Sequence, residues 1–236
     1  MAQSLLLKFP GTNCDSETAR ALEVAGFEAE VVPVALLESR DLERTQFVVI
    51  SGGFSYGDYV MSGRIAQLTL RRKLGDGLKE FVAKGGFVLG ICNGFQILTQ
   101  LGLLPRGSLI HNASGRFTCR WEALKKSGGR ASPYLSKLPE QFELPIAHAE
   151  GRFVGEPGDA EKYVKDGHAA LLYQRDVNGS QAQIAGLQDD SGRVFGLMPH
   201  PERFLFKAHH YDRDWAGAEH GWGYYLFKGV AEALGA

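Results

Sequence analysis

One stretch constrains the fold more than any other: Gly85-Gly86-Phe87-Val88-Leu89-Gly90-Ile91-Cys92-Asn93-Gly94-Phe95-Gln96, an apolar run that passes directly into a helical pattern. A run as apolar as Phe87 to Ile91 reads as a strand covered on both faces, the environment of a parallel sheet. Gly90, Cys92 and Gly94 then give the spacing G-x-nucleophile-x-G. In that motif the glycines let strand and helix approach through a tight, strained turn that holds the central side chain proud. A thiol placed there also faces the unpaired N–H groups at the start of a helix, which favour the thiolate, the attacking species. Taken alone, the pattern equally suits a small buried cysteine, so its partners decide.

Similar runs recur upstream. Ser4 to Phe9, Glu28 to Val34 and Phe47 to Ser51 read as strands, and Leu68 to Lys84 supplies helical material before Phe87 to Ile91. Thr12-Asn13-Cys14-Asp15 reads as a capping box that opens a helix ending before Gly26. The alternation is that of βαβ units. After Leu104 the pattern changes, with strands expected at Thr118 to Ala123, Glu143 to Ala147, Leu171 to Arg175, Gln183 to Gln188 and Val194 to Met198. Turn signals such as Asn178-Gly179 and Ser191-Gly192 between them favour mixed or antiparallel pairing. Lys125 to Pro139 reads as an exposed loop, and the last helix is expected over Tyr224 to Leu234, its aromatic residues packing into the core.

Two further segments supply what a thiol nucleophile needs. Val194 to Met198 runs into Pro199-His200-Pro201-Glu202-Arg203, where the prolines disfavour helix at His200 and an extended backbone puts His200 and Glu202 on one side. An imidazole takes the thiol proton, and a neighbouring carboxylate fixes its tautomer and stabilises the imidazolium. Ser51-Gly52-Gly53-Phe54-Ser55-Tyr56-Gly57-Asp58 follows the third strand as a glycine-rich loop at its carboxyl end. The N–H groups of Gly53 and Asn93 make a two-donor oxyanion hole. No GxxxxGK[ST] follows, which disfavours a phosphate-cradling loop.

Composition narrows the classes. With 236 residues, 44% hydrophobic and 22% charged, the chain suits one α/β domain over 1–236. A formal net charge of -1, with Arg71, Arg72 and Lys73 an isolated basic run, argues against nucleic acid as a partner. Three dispersed cysteines suit a reducing, cytoplasmic setting, and no stretch reaches transmembrane length. Cys14 and Cys119 are expected to pack as small hydrophobes. His209, His210, Asp212, Asp214 and His220 lack a recognisable ligand spacing, so no metal site is expected, and His111 and His168 receive no role.

Together GICNGFQ, SGGFSYGDY and MPHPER resemble the class I, or triad, glutamine amidotransferases. PGTNCD, SGGFSYGDY at Ser51 to Tyr59, CNGFQIL and PIAHAEGRF look more narrowly like the branch that serves phosphoribosylformylglycinamidine synthases. The resemblance implies a flavodoxin-like three-layer α/β sandwich with a mainly parallel central sheet and an added mixed or antiparallel strand region. It implies that Cys92, His200 and Glu202 hydrolyse L-glutamine, with Gly53 and Asn93 at the oxyanion. Gly52, Gln96, His148 and Glu150 would border the substrate. Ammonia would pass to a large synthetase subunit in purine synthesis, with ATP and Mg2+ bound there and no cofactor in this chain, often with a small third subunit bridging the two. Ala149 stands where the family usually has glycine. The competing readings are a DJ-1/PfpI-like cysteine hydrolase or peptidase, against which the His-Pro-Glu segment argues, and a non-catalytic scaffold module.

Overall fold

The computed structural model describes residues 1–58 and 61–236, so Tyr59 of the SGGFSYGDY motif lies outside the described residues. The apolar runs become strands β1 (Ala2–Lys8), β2 (Phe27–Pro33), β3 (Phe47–Ile50) and β4 (Phe87–Ile91), with β5 (Ser108–Ile110), β6 (Thr118–Lys126), β7 (Gln141–His148), β8 (Arg152–Val154), β9 (Leu171–Tyr173), β10 (Ile184–Gln188) and β11 (Val194–Leu197) following. Helices are α1 (Asp15–Ala25), α2 (Ser39–Glu43), α3 (Arg64–Leu74), α4 (Gly77–Ala83), α5 (Asn93–Leu101), α6 (Asp159–Lys165) and α7 (Trp222–Ala233).

The main sheet runs β2-β1-β3-β4-β11-β10-β9-β6-β7. From β2 to β11 every pairing is parallel, and from β11 to β7 every pairing is antiparallel. The two halves differ in burial as they do in pairing. Every residue of β3 and β4 is buried, as strands covered on both faces require, whereas β7 alternates, turning Phe142, Leu144, Ile146 and His148 inward. Helix α1 packs with β2 and α7, and α5 packs with β4, β11 and α3, giving the layered α/β sandwich that the sequence implies. Gly26, at φ 101°, ends α1 in the left-handed conformation that glycine adopts without strain.

Three local expectations need correction. Thr12 does not cap α1: Cys14 stands at the N-cap without a side-chain bond, and Thr12 pairs instead with Gly53 in an isolated antiparallel bridge. The reciprocal capping box is at Glu38 and Asp41, opening α2, with Glu in place of the usual Ser or Thr. The helical material over Leu68 to Lys84 is two helices, interrupted at Gly75, whose φ is 56°.

Lys125 to Pro139 is not simply an exposed loop. Lys125 and Lys126 extend β6, and Pro133 to Leu135 form a 3-10 turn with Tyr134 fully buried. The Tyr134 hydroxyl stands 2.9 Å from the carbonyl oxygen of Val88 and 2.8 Å from that of Arg193, tying the segment to the central strands.

Candidate active site

The carboxyl ends of β3, β4 and β11 lie side by side, with Ile50 paired to Gly90 and Leu197 to Ile91. Crevices outside such ends are where parallel sheets hold their ligands. At the end of β4 the backbone turns sharply: Cys92 has φ 52° and ψ -104°, and α5 begins at the next residue. Positive φ at a residue with a side chain is strained, and this fold enforces it by packing. A Cβ on Gly94 would stand 2.0 Å from the carbonyl oxygen of Ile50, and one on Gly90 would stand 2.5 Å from that of Gly94. The two glycines are thus the condition for strand, turn and helix to approach closely enough.

The neighbouring strand delivers the imidazole. Cys92 donates its N–H to the Leu197 carbonyl at 2.8 Å, so the chain leaving β11 starts beside the elbow. His200, two residues beyond Met198, is fixed by its own N–H donating to the Pro145 carbonyl at 2.8 Å. The expected extended path from His200 to Glu202 is not what forms. His200 is non-helical, as its flanking prolines require, but Pro201 to Arg203 make a single 3-10 turn. That turn carries the Glu202 carboxylate back to His200 Nδ1 at 2.6 Å, with both side chains buried.

The electrostatics follow from this enclosure. Burial alone would depress the His200 imidazole, but the charges of Glu202 and Cys92, with the Cys14 and Cys92 sulfurs beside it, outweigh it and hold the ring well above its ordinary value. Nδ1 is occupied by Glu202, whereas the buried Nε2 has no aligned hydrogen-bond partner among the described residues. Cys92, His200 and Cys14 border one pocket of about 380 Å³ that also takes in Gly53, Gln96, His148 and Glu150.

The other expected site residues take distinct places. Gly53, at φ 143°, packs against the Gly11–Asn13 backbone, and its N–H has no acceptor among the described residues. Asn93 is the first residue of α5, a position whose N–H has no intrahelical partner. Gly52 lies beneath the site: a Cβ there would stand 2.9 Å from His200 Cε1. Gln96 is tied down, donating to the Glu150 carbonyl at 2.6 Å and accepting from Asn93 at 2.9 Å. His148 holds Asn112 Oδ1 at 3.0 Å through Nδ1, and burial, followed by the charge of His200, lowers it to about 4. Glu150 accepts the Ser62 N–H at 3.4 Å, so its carboxylate faces the Asp58 loop. Ala149 is not among the residues with left-handed backbone, so alanine fits there without strain.

Sequence reasoning missed several neighbours. Asp58, at φ 52°, reaches Asn93 at 3.3 Å, and its carboxyl is raised mainly by burial. Cys14 does not merely pack as a small hydrophobe: Arg203 donates to its Sγ at 3.1 Å, and Sγ, a His200 ring nitrogen and a Glu202 oxygen all lie within 4.8 Å of one another. Cys119, expected to be buried, is exposed at the pocket mouth. Asp58 and Arg203 stood inside quoted motifs, which was the available signal; for Cys14 the signal was PGTNCD. His111 and His168 find carboxylates distant in sequence, Glu150 at 3.7 Å and Asp190 at 3.0 Å. In the His209–His220 segment, His210 Nε2 meets Glu143 at 2.9 Å while its ring lies among Trp121, Phe204 and Trp215, and His220 stacks on Tyr224. Among the described residues no helix is long and apolar enough to cross a membrane.

Comparison with known proteins places the chain in a family. Residues 2–231 match the CobB/CobQ-like glutamine amidotransferase domain. The phosphoribosylformylglycinamidine synthase subunit PurQ of Pyrococcus furiosus is 39% identical over 236 residues, covering 98% of each chain. That of Parasynechococcus marenigrum is 46% identical over 203 residues, covering 84% of this chain and 89% of the relative. Among solved structures, a chain of PurLQS from Thermotoga maritima superposes with a TM-score of 0.82 at 35% identity, covering 99% of both chains. An elbow thiol, a carboxylate-bound imidazole and these matches lead to one statement: the chain belongs to the CobB/CobQ-like glutamine amidotransferases, in the company of the PurQ subunits of phosphoribosylformylglycinamidine synthase.

Proposed function

We propose that this chain is the glutaminase component of a phosphoribosylformylglycinamidine synthase, with Cys92 as nucleophile, His200 as acid and base, and Glu202 as the orienting carboxylate. The observation that carries the assignment of roles is the 2.6 Å contact between His200 Nδ1 and Glu202, which leaves Nε2 as the ring nitrogen available to the Cys92 sulfur. In the first step His200 takes the Cys92 thiol proton as the sulfur adds to the side-chain amide carbon of glutamine. The carbonyl oxygen becomes an oxyanion between the N–H groups of Gly53 and Asn93. His200 then gives its proton to the departing nitrogen, releasing ammonia and leaving a thioester on Cys92. Water, deprotonated by His200, attacks the thioester and releases glutamate, restoring the thiol and imidazole. Gln96, His148 and Glu150, on the pocket wall, and Gly52 beneath it hold and shape the substrate site.

The 236 residues act as one domain, consistent with a family match that runs from residue 2 to 231. Ammonia passes to a large synthetase subunit, PurL, which binds ATP and Mg2+ and converts formylglycinamide ribonucleotide to formylglycinamidine ribonucleotide, with PurS as a bridging subunit. A cytoplasmic setting is consistent with three free cysteines, one of them exposed. The test is reconstitution with the large subunit, ATP, Mg2+ and formylglycinamide ribonucleotide. Glutamine-dependent product is expected from the parent chain, and Cys92→Ala should lose it while added ammonia still supports the synthetase. Glutamine-dependent product from Cys92→Ala would refute the assignment.

A further inference from the structure

Cys14 is a buried thiol that glutamine hydrolysis leaves without a task. It is 1% exposed, its thiol donates to Asn13 Oδ1 at 3.3 Å, and Arg203 donates to its sulfur at 3.1 Å. Gly52 marks where it meets Cys92. A Cβ added to Gly52 would stand 3.4 Å from Cys14 Sγ and 3.4 Å from Cys92 Cβ, so the Cys14 sulfur and the Cys92 Cβ flank one point that no residue-52 side chain fills, while the Cys92 sulfur is turned to the Ala147 carbonyl at 3.8 Å. A second observation comes from the imidazole: a His200 ring nitrogen lies within 4.8 Å of Cys14 Sγ, and the buried Nε2 lacks an aligned partner among the described residues. One histidine therefore borders both thiols in one pocket.

We propose that Cys14 is a resolving thiol for Cys92: when hydrogen peroxide oxidises the nucleophile, Cys14 captures the product as an intramolecular Cys14–Cys92 disulfide that a small dithiol reverses. In the first step the Cys92 thiolate attacks one peroxide oxygen and the O–O bond breaks. The sulfur loses two electrons to become a sulfenic acid, and the leaving hydroxide takes the His200 proton and departs as water. Next the Cys14 sulfur attacks Cys92 Sγ and the S–O bond breaks. His200 accepts the Cys14 thiol proton and passes it to the departing hydroxide, releasing a second water. A disulfide brings its Cβ atoms to about 3.5–4.5 Å, so on bridging the Cys14 sulfur gives up the Arg203 N–H and the Cys92 sulfur gives up the Ala147 carbonyl. Disulfide formation competes with further oxidation of Cys92 to the irreversible sulfinic acid.

This inference rests on Cys92 as the reactive thiol of the proposed function, and the two fail differently. Loss of the functional reading shows as absent glutamine turnover before any oxidant is added; loss of this one shows only afterwards. The intact chain is treated with hydrogen peroxide, digested without reduction and analysed by mass spectrometry, with glutaminase activity followed before and after dithiothreitol. The expected result is a cross-linked peptide pair holding Cys14 and Cys92, with activity restored by the dithiol. In Cys14→Ser the cross-link is absent, Cys92 is found as sulfinic acid, and the dithiol restores less than about a tenth of the activity lost. Cys119→Ser keeps the cross-link. A Cys92–Cys119 bridge, sulfinic Cys92 in the parent chain without any bridge, or full recovery of Cys14→Ser would each overturn the proposal. The cross-link in the parent chain is decisive whether or not the serine variant folds.

Discussion

His200 Nδ1 and the Glu202 carboxylate meet at 2.6 Å across a single proline, with both side chains buried and the carboxylate's second oxygen left without a hydrogen bond among the described residues. A buried carboxylate costs several kcal/mol unless a partner offsets it, so this pair holds together only because the imidazole carries or shares the proton. Glu202→Gln keeps the volume and removes the charge. A fall in kcat of about 10²–10⁴-fold is expected, by analogy with other imidazole–carboxylate pairs in which the wrong tautomer results. Steady-state glutamine hydrolysis checks it, and an unchanged kcat would take Glu202 out of the mechanism.

The glycines around the elbow separate stability from chemistry. Gly94→Ala places a Cβ 2.0 Å from the Ile50 carbonyl oxygen, a backbone clash that no side-chain rotation relieves. It should destabilise the fold by about 3 kcal/mol or more, measured by urea denaturation. Gly52→Ala instead brings a Cβ to 2.9 Å from His200 Cε1. It should displace the ring and reduce kcat/KM by about 10²-fold with a far smaller change in the unfolding midpoint.

Two histidines pull stability in opposite directions over separate pH windows. His148 is lowered to about 4 by burial and by the positive His200, whereas in the unfolded chain it titrates near 6.5. Between those values the unfolded chain takes up a proton that the native chain refuses, so stability falls as pH drops from about 6.5 to about 4, by up to about 3 kcal/mol. His200 is raised, so its contribution is fully present below pH 6.5 and is lost as pH climbs through its folded value. Urea midpoints across pH 4 to 6.5 should show a shallower slope in His148→Gln than in the parent chain.

Tyr134 gives a stability prediction away from the site. Its hydroxyl bridges the Val88 and Arg193 carbonyls from a fully buried position. Tyr134→Phe should cost about 1–2 kcal/mol by removing the one hydroxyl proton that these two carbonyls share, with glutamine hydrolysis unaffected.

What the sequence made legible was what depends on near neighbours. The strand Phe87 to Ile91 was read to the residue, because a fully buried run bounded by glycines has few alternatives. The elbow followed from the spacing of Gly90, Cys92 and Gly94. What depends on distant packing was not legible. Thr12 carries a cap signature, yet its place is decided by Gly53 in the loop after β3. The polar segment around Tyr134 looked exposed because nothing local shows that its ring reaches β4. Cys14 was read by the base rate for buried thiols, and only the meeting of its loop with the turn after β11 shows Arg203 and His200 against it. The His200–Glu202 pairing was expected for the right residue types through the wrong backbone, since the 3-10 turn that closes it is not an extended strand.

The central claim is that Cys92 alone of the three cysteines attacks the glutamine amide carbon. Incubating the chain with an electrophilic glutamine analogue, together with the large subunit where the isolated chain is inert, and mapping the adduct by peptide mass spectrometry tests it most directly. One adduct per chain on Cys92, formed in step with the loss of glutamine hydrolysis and suppressed by excess glutamine, is the expected result. An adduct on Cys14 or Cys119 with Cys92 unmodified, or full inactivation without any adduct on Cys92, would contradict it.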